Sequence, residues 1–151
     1  MAEYSGTHSL VTPGGTITFN ASSGDTYEHD PDDCAGLDMA PLRTPIDQAP
    51  QTDGGLVFPF LFDARHVTLG GWMLVRSSGT EPGYSTARNT LEDNLRTALT
   101  SIIRADGQYR WTESGMSQRT LVVRCDIPVA FTGMHAKRYA FGLVAANPTW
   151  T

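Results

Sequence analysis

A chain of 151 residues, 40% of them hydrophobic, is long enough for one domain with a real core. Only 18% of the residues are charged, and 15 glycines and 9 prolines punctuate the chain, which favours strands and turns over a helical bundle. A formal charge of -5, with Lys137 the only lysine, excludes a whole-protein basic footprint for gripping nucleic acid.

The stretch "HSLVTPGGTITFN" reads as a strand, a Pro-Gly-Gly turn and a second strand, with Ile17 and Phe19 on one face and Thr16, Thr18 and Asn20 on the other. The following "GDTYEHDPDDCAGLDMAPLRTPIDQAPQTDGG" is acidic, proline-dotted and aperiodic, as expected of a long loop or several short extended pieces that meet a partner. In "LVFPFLF", Pro59 argues for an edge or bent strand. "HVTLGGWMLV" is a clearer strand, with Val67, Leu69, Met73 and Val75 on one face and Trp72 and Leu74 on the other. Gly70-Gly71 in its middle predicts a bulge or a close backbone approach.

One helix is expected, from about Thr86 to about Ala105, because Leu91, Leu95, Ala98, Leu99 and Ile102 form one apolar stripe. Ser85 or Thr86 is the expected cap, Glu92 and Arg96 an expected pair, and Gly107 an expected left-handed stop. Three strands finish the chain. "GQYRWTE" is short. In "QRTLVVRCDIPVAF", Leu121, Val123, Cys125 and Ile127 share a face. In "AKRYAFGLVAA", Tyr139, Phe141, Leu143 and Ala145 do, and "TGMH" joins the last two strands as a hairpin. The fold class expected is mainly β, with one amphipathic helix lying across a sheet or between two.

Residues with chemistry are present but scattered. Glu28 to Cys34, "EHDPDDC", gathers carboxylates, an imidazole and a thiol, yet lacks the glycine and distal glutamate of an EF-hand loop. A solvated acidic loop or an acidic rim at an interface is the expectation there; a metal-binding or hydrolase module on residues 28–34 is the alternative. His8, His29, His66 and His135 form no HxH or HExxH pattern, the serines have no GxSxG setting, and the glycine pairs precede no helix. No catalytic, metal or cofactor-binding residue is therefore assigned. Cys34 and Cys125 read as two unrelated thiols. Arg119, Arg124, Lys137 and Arg138 read as the polar outer face of the last hairpin or as inter-subunit ion-pair partners. Trp72 and Trp111 are expected at least partly in the core, while Trp150, after Pro148, is expected to dock outside its own sheet. The start "MAEYSGTHSLV" lacks a signal-peptide pattern, and no run approaches the ~18 apolar residues of a membrane helix. A soluble protein made in the cytoplasm, without membrane insertion, is expected.

Taken in order, the early strand pair, the "DGG" leading into "RHVTLGGWMLV", the leucine-striped helix, "DGQYRW", "RTLVVRCDIPVAF" and the closing "FGLVAANPTW" resemble the distal tail proteins of long-tailed bacteriophages, the siphoviruses, a phage tail or minor tail protein family. The resemblance implies a β-sandwich-like, ring-forming core domain over residues 1–151, with one helix, an extended loop or hairpin arm and no appended carbohydrate-binding domain. It also implies a virion structural protein at the distal end of the tail, in the baseplate region. Six copies would form a homo-hexamer ring that joins the tail tube protein to the tail hub or tip protein, with the tape measure protein a further candidate partner. Genomic DNA would transit the lumen during ejection without specific binding. No catalytic residue or cofactor comes with the resemblance. A tail tube protein stacking as hexameric rings is the neighbouring alternative. The candidate subunit-interface residues are Trp150, Pro148, Asp30, Asp32, Asp33 and Arg138.

Overall fold

In the computed structural model, which describes residues 6–38, 42–43, 46–48, 55–57 and 61–151, the first hairpin forms as its alternation requires. Thr7–Thr12 (β1) pairs antiparallel with Gly15–Phe19 (β2) around Pro13-Gly14, and Leu10, Ile17 and Phe19 point into the core. The next stave is Thr26–His29 (β3), inside the stretch read as a loop or short extended pieces. Further along it, Leu42–Arg43 (β4) pairs with Leu61–Phe62 (β7), and Ile46–Gln48 (β5) pairs with Gly55–Val57 (β6). Pro59, on which the edge-strand reading of "LVFPFLF" rests, lies outside the described residues.

Arg65–Leu74 (β8) alternates except at Gly70, which is buried with its neighbours, and Val67, Leu69 and Met73 lie on the buried face. Gly70 and Gly71 are indeed a site of close approach, since a Cβ on Gly71 would meet the Glu28 carbonyl oxygen at 1.8 Å. Trp72 departs from the expectation of a core position. It stands on the outer face, 37% exposed, because strand alternation sends it opposite to Met73.

The helix, α1, runs over Gly83–Ser101, starting and ending a few residues earlier than expected, and buries the predicted stripe of Leu91, Leu95, Ala98 and Leu99. Its local details differ from the sequence reading. Ser85 donates to Glu81 and Thr86 to the Pro82 carbonyl, so neither caps the start. Glu92 binds Lys137 rather than Arg96, which pairs with Asp93 at 3.0 Å. Gly107 does not end the helix in a left-handed turn. It opens the next strand, where a Cβ would meet Ile102 at 2.9 Å and the Val11 carbonyl at 3.1 Å.

Gly107–Thr112 (β9), Arg119–Thr132 (β10) and Arg138–Ala145 (β11) complete the sheet, with Tyr139, Phe141, Leu143 and Ala145 facing inward as read from the sequence. In β10 the expected apolar face is interrupted. Register shifts between Cys125 and Ile127 and between Ile127 and Ala130 turn Ile127 outward, 52% exposed, against Gly142.

The seven long staves close on themselves in the order β1-β2-β3-β8-β11-β10-β9, with β9 pairing back onto β1. The architecture is thus mainly β with one helix, as expected, but a closed barrel rather than a sandwich. The reason is β3: it bridges β2 and β8, pairing parallel with the first and antiparallel with the second, and removes the edges that would have left an open sheet. The helix covers one mouth. Its first half is tied to the β10–β11 turn by Tyr84 to the His135 carbonyl and Arg88 to the Met134 carbonyl, and its end to the β1–β2 turn by the Gly14 amide to Ser101.

Candidate functional site

Four of the six candidate interface residues lie in one stretch of the outer wall or beside it. After β3 the chain leaves the wall in a single 3-10 turn, Pro31–Asp33, and rejoins β8 through the Ala35–Thr68 bridge. Asp30 caps that turn, accepting from the Asp32 amide at 3.1 Å. From β11, Arg138 reaches across and binds the carboxylates of both Asp30 and Asp33, while its guanidinium lies 4.4 Å from the centre of the Trp72 ring. The hydrogen bond from Arg138, aided by the Asp32 amide, holds the Asp30 carboxyl below the usual carboxylate range. Asp32 is exposed and projects from the turn. The acidic loop is therefore a latch closed by arginine across β3, β8 and β11, and among the described residues no group of three or more histidine, cysteine or acidic side chains is arranged to hold a metal ion.

The other two candidates, Pro148 and Trp150, are engaged within the chain. Beyond Ala145 the chain turns at Pro148, which is buried, and Thr151 pairs with Thr120 in both directions at 2.7 and 2.9 Å. That edge of β10 precedes its pairing with β11, which begins at Arg124, so the segment fills a gap in the wall. Trp150 is thereby aimed at the second mouth. It packs edge-on to Trp111 at 6.1 Å and against Tyr109 at 6.4 Å, with the Arg65 guanidinium 5.6 Å from its ring centre. The expectation that Trp150 docks outside its own sheet thus meets an intrachain seat that already occupies most of the ring. Trp150→Ala is expected to cost about 1–3 kcal/mol in the isolated protein, less than the ~3–5 kcal/mol of a fully buried tryptophan. Urea denaturation followed by fluorescence measures it, and an unchanged midpoint would remove the sealing role.

Behind this mouth lies a cluster that the sequence reading did not assemble. His8 on β1, His29 on β3, Tyr109 on β9 and Tyr139 on β11 are all buried. Tyr109 Oη lies 2.6 Å from His8 Nδ1 and 3.1 Å from His29 Nε2, and Tyr139 Oη lies 2.8 Å from His29 Nδ1. His8 stacks on Trp111 and His29 on Phe19. Burial, with a contribution from His8, pushes His29 well below the ordinary imidazole value, and burial pushes Tyr139 well above that of a free phenol. The signal was available only as parity: each of the four occupies an inward position beside a recognised core residue. The network has the chemistry of a buried polar clamp, each imidazole tied to a tyrosine hydroxyl. His66 pairs with Asp126 at 3.0 Å on the outer surface. Cys34 and Cys125 are separate free thiols, and burial pushes Cys34 up to about 11.

These features define a class: a seven-stranded closed barrel with a helix over one mouth and a folded-back hook over the other. No protein-family model matches the chain, and no curated protein matches it. Among solved structures it is similar to the SPP1 Dit (gp 19.1) protein, described as a paradigm of the hub adsorption apparatus in phages infecting Gram-positive bacteria. The likeness has a TM-score of 0.57 at 14% identity and covers 95% of this chain and 51% of that one. The chain therefore spans about half the length of that protein, and what the two share is a fold.

Proposed function

We propose that the chain is a structural subunit of a bacteriophage tail, in its finer form a distal tail protein whose copies close into a six-membered ring between tail tube and hub. The observation that carries this reading is the whole-chain fold likeness to SPP1 Dit, which leaves almost none of this chain unmatched. The role is architectural rather than catalytic. Its partners are further copies of the chain, the tail tube protein, the hub or tip protein and the tape measure protein, with DNA passing through the lumen. The net charge of -5 suits a channel along which phosphates slide without being held.

A ring requires a heterologous interface that closes by rotation. The outward apolar residues Ile103 and Ile127, each 52% exposed, and Val122, 49% exposed, lie on β10 and beside it and supply such contact area. Mass photometry and negative-stain imaging of the purified protein test the reading. A six-membered ring with a central hole is expected, and Ile103→Asp is expected to leave a folded monomer. A stable monomer across the micromolar range would overturn the ring, and a self-stacking tube would favour a tail tube protein instead.

A further inference from the structure

The geometry of the buried histidine–tyrosine chain fixes the direction of its protons. Among the described residues the Tyr139 hydroxyl has one partner, His29 Nδ1 at 2.8 Å, and Tyr139 is 1% exposed. Its proton is satisfied only if Tyr139 donates and Nδ1 accepts. His29 must then carry its own proton on Nε2 and donate it to Tyr109 Oη, 3.1 Å away, and Tyr109 Oη in turn lies 2.6 Å from His8 Nδ1. Neutral His29 in this tautomer is thus the joint between β3, β9 and β11.

We propose that His29 is an acid-sensitive latch of the barrel: its neutral Nε2–H form ties β3 to β9 and β11, and protonation at Nδ1 releases β3 and the segment that follows it from the wall. The Nδ1 lone pair is the site left for an added proton, and that proton takes the place of the one Tyr139 donates. Both oxygens would then face N–H groups, and the Tyr139 hydroxyl proton would have to find an acceptor in an apolar core. The groups that face His29 from the packed elements include no carboxylate to offset a positive charge. β1 presents His8, with ring centres 5.0 Å apart; β2 presents Phe19; β9 and β11 present Tyr109 and Tyr139. β8 contributes Gly71 as the cross-strand partner, and its inward Arg65 is itself a cation. The helix buries only leucine and alanine, and both ring nitrogens of His29 are bonded to tyrosine hydroxyls, not to a carboxylate. On its other side β3 shares one register pair with β2, Phe19 with Tyr27, and is otherwise held through Asn20, whose amide donates to the Tyr27 carbonyl at 2.7 Å and whose Oδ1 accepts from the His29 amide at 2.9 Å.

The sign follows from linkage. The unfolded histidine takes up a proton near its ordinary value, whereas the folded one resists it to much lower pH. Native stability is therefore full above about pH 6.5 and falls as the pH drops below it. Local opening at β3 is the first route by which His29 reaches a proton.

His29→Gln tests this, because glutamine keeps one acceptor and one donor without titrating. Amide hydrogen exchange, expressed as protection factors, should show residues 26–36 of the wild type losing at least tenfold protection between pH 7 and pH 5 while β10 and β11 keep theirs. The Gln variant should keep both. Uniform loss in the wild type, or the same selective loss in the variant, would overturn the latch. Imidazole nitrogen shifts of the wild type give a second reading that needs no variant. They should show the Nε2–H tautomer at His29 with no titration near pH 6.5, and an Nδ1–H tautomer or an ordinary titration there would overturn the proposal equally.

Discussion

Gly71→Ala is expected to prevent folding, or to lower stability by at least the upper end of the ~1–3 kcal/mol usual for overpacking. The added Cβ would sit 1.8 Å from the Glu28 carbonyl oxygen and 2.9 Å from the Asp30 amide nitrogen. Both are backbone atoms, so no side chain can swing aside; the strand itself must move. Moving β3 away from β8 undoes the register in which Glu28 opposes Trp72 and His29 opposes Gly71. It also draws His29 from Tyr109 and Tyr139 and lifts the turn that Arg138 clamps. Gly79→Ala is the control, since a Cβ there meets nothing within 4 Å, and it should stay within about 0.5 kcal/mol of the parent. Urea midpoints of the two variants decide the matter. If Gly71→Ala matched the control, the closeness of β3 to β8 would not be a condition of closure.

That sensitivity bears on what a linear reading can reach. Period-two alternation located β1, β2, β8 and β11 because each has an uninterrupted inward face, and the three-to-four spacing of leucines located α1 because only that face meets the barrel. The closure was hidden in Thr26–His29. Four residues are too few to show a period, three of them are polar, and their burial depends on partners more than 40 positions along the chain, such as Met73 and Leu74. Ile127 was misplaced because a register shift leaves no mark in composition; it is visible only when Gly142 lies opposite. The candidate interface fared in two ways. Asp30, Asp33 and Arg138 do come together, but as a latch within one chain, since opposite charges on neighbouring staves find each other before they find a partner. Trp150, expected to dock outside its own sheet, has a seat within the chain against Trp111, Tyr109 and Arg65. Its direction was illegible, because the edge it needs, at Thr120, is a gap left by the pairing of other strands.

Arg65→Met is expected to cost about 3 kcal/mol or more, the range for groups left buried without their charged partner. Arg65 is 4% exposed, and its guanidinium donates to three backbone carbonyls, those of Pro148 and Gly36 at 2.9 Å each and that of Asp38. These join two otherwise separate covers of the second mouth: the hook that carries Trp150 and the segment that follows the acidic turn. A buried ion pair can often be replaced by apolar residues without loss, because both charges leave together. Here the acceptors are main-chain oxygens that no substitution removes, so methionine fills the volume and strands them. Lysine is expected to recover only part of the loss, since a single ammonium cannot reproduce the planar spread of donors that reaches two segments at once. Tryptophan emission distinguishes the local event from the global one. With Trp150 released from Arg65 and Trp111, the variant should show red-shifted emission under native conditions, before the main unfolding transition. A methionine variant as stable as the parent, with unshifted emission, would mean that the hook is held by Pro148 and the Thr120–Thr151 pairing alone.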